Sequence, residues 1–251
     1  MHSSKFTAQE FEILWAAYGR DRLPYPIQFR TDISDFDELK RYRDSAVESL
    51  LAKYDPSIER ALGTLMNPDA RLESKGIVGQ DYPQIIRFVG AIHGDAGATL
   101  TQDPGPADDI GGDVVLTWCN ADQVAEAAVA VLPERQPGTR APLEIPRERI
   151  SAEDEHFEFR AGAVSAMDQI DRMFRRSRSG HGEIAAFAGA APDARPATPE
   201  RTFWWMDYSD GRYYARTGDP IIAEPLDSNR MTAGIRQMLR RAQRRHRENQ
   251  P

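Results

Sequence analysis

The stretch TFWWMDYSDGRYYART, residues 202–217, decides the class of fold. Two runs rich in aromatic residues flank Asp210-Gly211, a dipeptide suited to tight hairpins because both residues tolerate positive φ. Strands reversing through so short a turn pair antiparallel. Side chains alternate between the two faces of such a hairpin. An even-length loop puts Trp204, Met206, Tyr213 and Ala215 on one face, which is apolar and reads as the side packed under helices. Phe203, Trp205, Asp207, Arg212, Tyr214 and Arg216 fall on the other. Aromatics with a charged rim have the composition of an interface hot spot. They equally suit a second core covered by helices.

Outward from the hairpin, strands are predicted over residues 183–188 and 221–224, and Asp227 caps a last helix carrying Met231, Ile235, Met238 and Leu239. Ser151 opens an earlier helix with Phe157, Val164, Met167, Ile170 and Phe174 on one side. Pro133, Pro137, Pro142 and Pro146 mark residues 133–149 as a linker. Before it the same order is found. A helix starts at Asp55-Pro56, an N-cap followed by a proline in the first turn, and ends before Asn67-Pro68. Strands follow over residues 71–78, 85–92, 98–102 and 113–118, and Asn120 caps a helix with Val124, Ala128, Val131 and Leu132. Asn120 answers Asp227, Val124 answers Met231, Ala128 answers Ile235 and Leu132 answers Leu239.

That is an internal repeat, helix–four strands–helix given twice. The class expected is α+β, a central antiparallel sheet of near-twofold internal symmetry with flanking helical bundles. Residues 1–251 form one domain: a first half over about 1–132, the linker 133–149, a second half over about 150–240 and a basic tail at 241–251. The first half also carries two leading helices. Thr7 and Glu10 make a capping box, with Phe6 and Phe11 at the staple positions. Phe11, Leu14, Trp15 and Tyr18 form one stripe, and Gly19 supplies the stop. Leu23-Pro24-Tyr25-Pro26-Ile27 is extended, and a second helix over residues 35–54 turns Leu39, Tyr42, Ala46, Leu50 and Leu51 inward.

Hydrophobic residues make up 40% and charged residues 28% of the 251, the balance of a soluble globular protein. No apolar run approaches the ~20 residues of a membrane span, and no apolar signal core follows Met1. The single cysteine, Cys119, excludes an internal disulfide framework and a multi-cysteine zinc site, and suits a reducing cytosol. A net charge of −7 argues against general nucleic-acid binding. Residues 236–251 depart from this, with Arg236, Arg240, Arg241, Arg244, Arg245 and Arg247 against Glu248. They read as a solvated last helix whose cations complement its dipole, or as a contact for RNA or an anionic membrane.

Catalytic patterns are weak. His181-Gly182-Glu183 has the spacing of a zinc deaminase but lacks the paired cysteines, and reads as a turn entering a strand. Asp207, Asp210 and Asp219 could surround a cation, though the hairpin explains Asp210-Gly211. Asp103, Asp108, Asp109 and Asp113 lack calcium-loop spacing and read as a solvated, potentially partner-contacting loop. Cys119 reads as a buried inert thiol, and His93, His156 and His246 have no partner at relay spacing. No phosphate loop or nucleophile motif occurs, and with no metal-ligand spacing no stoichiometric metal is expected.

Three stretches resemble the EspG family of type VII secretion-associated proteins: Phe6-Thr7-Ala8-Gln9-Glu10-Phe11 through Leu23-Pro24-Tyr25-Pro26, then Thr202-Phe203-Trp204-Trp205-Met206-Asp207 through Tyr214, then Pro220 through Leu239. The resemblance implies a cytosolic, non-catalytic chaperone that binds the tip of the PPE protein in a PE–PPE helical pair, uses no cofactor and acts as a monomer or weak dimer. It implies contacts on the sheet, on a loop between early strands and on the C-terminal helices. The partner-binding candidates are Arg87, Asp108 and Asp109, with Phe203, Trp205, Tyr214 and Arg216 of the hairpin. On this reading Trp205→Glu spares the fold and abolishes client binding, whereas Trp204→Glu unfolds the chain. Two other readings stand beside it. An enzyme would need His, Asp or Glu groups converging in a pocket. A nucleic-acid module would need the arginine tail to continue onto a basic face.

Overall fold

The computed structural model describes residues 1–155, 164–191 and 197–250. The first half runs β1 (His2–Phe6), α1 (Ala8–Ala17), α2 (Phe36–Lys53), α3 (Pro56–Met66), β2 (Ala70–Val78), β3 (Gln84–His93), β4 (Ala96–Pro104), β5 (Gly111–Asn120) and α4 (Gln123–Ala130). The second runs β6 (Leu143–Ile145), α5 (Arg147–Glu155), α6 (Ala166–Phe174), β7 (Arg178–Ala188), β8 (Arg201–Tyr208), β9 (Gly211–Arg216), β10 (Ile221–Pro225) and α7 (Ser228–Glu248). The fold is α+β. All ten strands share one sheet in the order β1-β5-β4-β3-β2-β7-β8-β9-β10-β6, with every named pair antiparallel. Outward from the central pair β2–β7, the two halves therefore connect in the same order.

Each half has five strands rather than the four expected. The additions are the sheet edges, β1 before the first capping box and β6 inside the segment read as a linker. Each pairs with a strand distant in sequence, so no hairpin turn announces it. The rest of that segment is also held down: Arg212 N donates to Gln136 O at 2.8 Å, and Gly138 N donates to Arg212 O at 2.9 Å.

Local signals placed most helix starts correctly. Thr7 and Glu10 bond reciprocally, Glu10 N to Thr7 Oγ1 at 3.2 Å and Thr7 N to Glu10 Oε2 at 2.8 Å. Asp35, Asp55 and Asp227 accept from Glu38 N, Ser57 N and Arg230 N at 2.6–2.7 Å. Asn120 does not cap α4. It ends β5, and the cap position falls to Asp122, whose side chain makes no capping bond. The helix expected from Ser151 is two: α5 begins at Arg147, and Ser165 caps α6. Val164 and Met167 are exposed, while His156 and Phe157 lie outside the described residues. On α2 only Ala46 and Leu50 are buried. Tyr42 and Leu51 point outward because this helix packs chiefly against α1 rather than on the sheet.

The two sheet faces are covered differently. On one, α4 and α7 close a continuous core over Leu72, Phe88, Ile184, Phe203 and Trp205. On the other, α1 and α3 pack over Val89, Leu100, Val114 and Leu116, while Met173 of α6 packs over Met206, Tyr213 and Ala223. The hairpin register is the expected one, with Trp204 opposite Ala215 and Trp205 opposite Tyr214. The face expected to meet a partner is nevertheless core at Trp205, which is 0% exposed. Its indole lies across β2 and β7, where a Cβ on Gly76 would stand 2.5 Å, and one on Gly182 2.8 Å, from the ring. Below it Asp207 accepts from Arg212 Nε at 2.7 Å and Nη2 at 2.8 Å. Arg212 Nη2 also donates to Pro133 O at 2.9 Å, tying that proline-rich segment to the core. The charged rim foreseen at Asp207 and Arg212 is thus a buried, hydrogen-bonded pair, and Trp205→Glu would place an unpaired charge in the core.

Candidate partner-binding grooves

The sheet face left open between the α1–α3 group and α6 is floored by the central pair. Arg71, Glu73, Lys75 and Ile77 of β2 stand there opposite Phe187, Ala185, Glu183 and His181 of β7. Two adjoining cavities of about 280 and 340 Å³ share Tyr25, Glu73 and Phe187 and together make one groove. Trp15, Leu23 and Pro24 wall one side, with Pro199 and Trp204 on the other. The proline-spaced segment is held at that wall by a side chain acting as a strand. Gln102 accepts from Gln28 N at 2.9 Å and donates from Nε2 to Gln28 O at 2.6 Å.

Charge on this floor is mostly internal. Arg71 Nε donates to Glu73 Oε1 at 2.9 Å and Nη1 to Gly189 O at 2.9 Å, while its guanidinium stacks 4.2 Å from the Phe187 ring centre. Burial pushes the Glu73 carboxyl above its usual range, against the pull of Arg71. Burial, aided by the charge of Arg178, holds His181 below its usual value. His181-Gly182-Glu183 sits inside β7, not in a turn entering a strand, and among the described residues no group of three or more His, Cys, Asp or Glu could hold a metal.

A second groove, of about 540 Å³, opens on the opposite face between α7 and β8–β10. Phe203 and Tyr214 form its floor with their rings 5.3 Å apart, and Met231 and Met238 face them from α7.

The EspG family model matches residues 7–237. This chain belongs to the EspG family. A solved structure of EspG5, the Mycobacterium tuberculosis type VII secretion system chaperone in complex with the PE25–PPE41 dimer, has the same fold with a TM-score of 0.59. The likeness covers 95% of this chain and 96% of that one at 13% identity, so it speaks of architecture along the whole length. No curated protein matches in sequence.

On this EspG scaffold the seven candidate residues do not converge. Phe203, Tyr214 and Arg216 border the α7 groove, Trp205 is sealed beside them, and Arg87, Asp108 and Asp109 form a separate cluster across β3. Arg87 is 1% exposed, and burial pushes its guanidinium below the usual arginine value. Its Nη2 donates to Asp108 O at 2.8 Å and to Gln28 Oε1 at 3.3 Å, so it contacts the loop's backbone rather than a carboxylate. Asp109 pairs with Arg30 at 2.5 Å on the surface. The acidic loop is therefore anchored at its base, with the Asp108 and Asp109 side chains exposed. Asp210, weighed against the hairpin as a cation ligand, sits in the hairpin turn, where it pairs with Arg176 and accepts from Tyr213 Oη at 2.6 Å. Sequence reasoning missed the central groove. Its signal was the alternation Arg71, Glu73, Lys75 on a strand whose other face is Leu72, Ser74, Gly76.

Proposed function

We propose that this EspG-family chain is a cytosolic, non-catalytic secretion chaperone that binds a PE–PPE-type heterodimer and delivers it to a type VII secretion system. The observation that carries this is the family match over residues 7–237, joined to a shared fold with a chaperone solved holding the PE25–PPE41 dimer. We place the client's helical tip in the groove over β2 and β7. A helix is about 10 Å across with its side chains, and this groove is a trough between two helical groups with aromatic and aliphatic walls. Exposed Tyr25, Ile77 and Tyr82 lie along it and at the β2–β3 turn, giving a client apolar surface to cover. The role needs no cofactor and no proton transfer. Among the described residues no helix is long and apolar enough to cross a membrane.

The test is co-expression with a PE–PPE pair encoded beside the gene, followed by size-exclusion chromatography. The expected result is one stable ternary complex, lost in Ile77→Glu and Tyr25→Glu variants that melt like the parent. Separate elution of chaperone and client from the parent chain would overturn the client assignment. Retention of the complex by both variants would overturn the groove.

A further inference from the structure

We infer that the groove between α7 and β8–β10 is a second docking surface, for an acidic peptide segment of a partner protein bearing aliphatic or aromatic side chains. The chain carries a net charge of −7, yet Ser228 to Arg247 contains seven arginines and no carboxylate. Much of that cation row is committed locally: Arg236 pairs with Glu126, and Arg245 lies 3.9 Å from Glu200 and 3.8 Å from Glu248. At the groove the balance differs. Arg201, Arg216, Arg230 and Arg241 line it, and the one carboxylate of the described lining, Glu224, is taken by Arg230 at 3.1 Å. The Arg216 Nε atom is buried without a hydrogen-bond partner among the described residues. A buried donor left without a partner carries a desolvation cost, which a carboxylate drawn to this guanidinium would lessen.

The floor selects among anions. Phe203, Tyr214, Met231 and Met238 offer apolar area to a side chain, and methionine adapts to varied shapes. A phosphate backbone would gain nothing from that floor, and a bilayer headgroup plane would not enter a concave trough. Aromatic and methionine side chains ringed by arginine make the composition of a protein interface. This surface lies on the sheet face opposite the central groove, so a client held in that groove would leave it uncovered.

The probe is a fluorescently labelled amphipathic peptide of about 14 residues with Leu and Phe on one helical face and Glu on the other, read by anisotropy against the full chain. The comparators are the same peptide with Lys for Glu, a single-stranded RNA of similar length, and phosphatidylglycerol vesicles. The expected result is saturable binding of the acidic peptide alone that weakens as salt rises. Arg216→Glu with Arg241→Glu should lower its affinity about tenfold or more. Arg241→Glu alone should give a smaller loss, and Arg175→Glu, just past the end of α6, none; all three should keep the parent's melting temperature. Equal binding of the lysine peptide, or no effect of the double variant, would overturn the inference. So would preferential binding of RNA or vesicles, which would assign the groove to phosphate instead.

Discussion

The two sides of the β2–β7 pair use the same eighteen or so residues in opposite ways. On the α4/α7 side, Gly76 and Gly182 pair directly and their missing side chains make the bed for the Trp205 indole. On the other, Glu73, Lys75, Ile77, His181 and Glu183 line a groove that no helix among the described residues covers. The difference teaches that closure of a sheet face here is set by what the central strands lack: two absent Cβ atoms admit one tryptophan, which brings the helices down. Where side chains are present and charged, the described residues leave the face as an open groove.

Four substitutions break or sharpen that contrast. The largest effect is expected from Trp205→Ala, which empties the closed side and should cost about 3–5 kcal/mol in chemical denaturation; a loss below about 1 kcal/mol would mean that the indole packs loosely. Gly182→Ala comes next. Its Cβ would meet Gly76 Cα at 2.6 Å and Lys75 O at 2.7 Å, backbone that cannot step aside. A loss of about 1–3 kcal/mol follows from overpacking, and stability equal to the parent would refute the close approach. On the open side, Lys75→Glu should change stability by no more than about 0.5 kcal/mol while weakening client capture in a pull-down. Smallest is Glu73→Gln, whose signature is a slope. Glu73 holds its proton more tightly in the folded chain than in the unfolded one, so its charged form disfavours folding. The stability of the glutamine variant relative to the parent should therefore be highest at neutral pH and fall as pH drops through the range above the ordinary glutamate value. A difference independent of pH would show that Glu73 titrates normally.

How much was legible follows from the range of each signal. The hairpin at residues 202–217, its register, the caps at Thr7, Asp55 and Asp227 and the helix start at Asp35 are local, each read from residues close together in the sequence. The destination of Trp205 is not local. Its burial depends on Gly76, more than a hundred positions earlier, and on Gly182, which as part of His-Gly-Glu looked like a turn. A glycine inside a strand is itself a mark of close approach, and two that pair across β2–β7 were the available clue. The grooves were hidden for a related reason: a trough is defined by which helices stop short of a strand, and alternation within the strand cannot say so. Of the hairpin face read as a partner surface, Tyr214 lies on the floor of the α7 groove and Arg216 lines it, whereas Trp205 is sealed in the core.

The edges of the ten-stranded sheet carry a consequence for self-assembly. β6 is three residues long and bracketed by Pro142 and Pro146, so the backbone on either side of it offers no N–H to an incoming strand. β1 presents His2, Ser3, Ser4 and Lys5, with Lys5 held by Asp103 and Asp113 at 3.2 Å each. Beneath it lies β5, ten residues long with Val114, Val115 and Leu116 in succession, the kind of edge that templates fibres when bare. Four polar residues thus act as a selvedge. A wide array of hydrogen bonds can share a crowded compartment with unassembled neighbours without seeding cross-strand polymers.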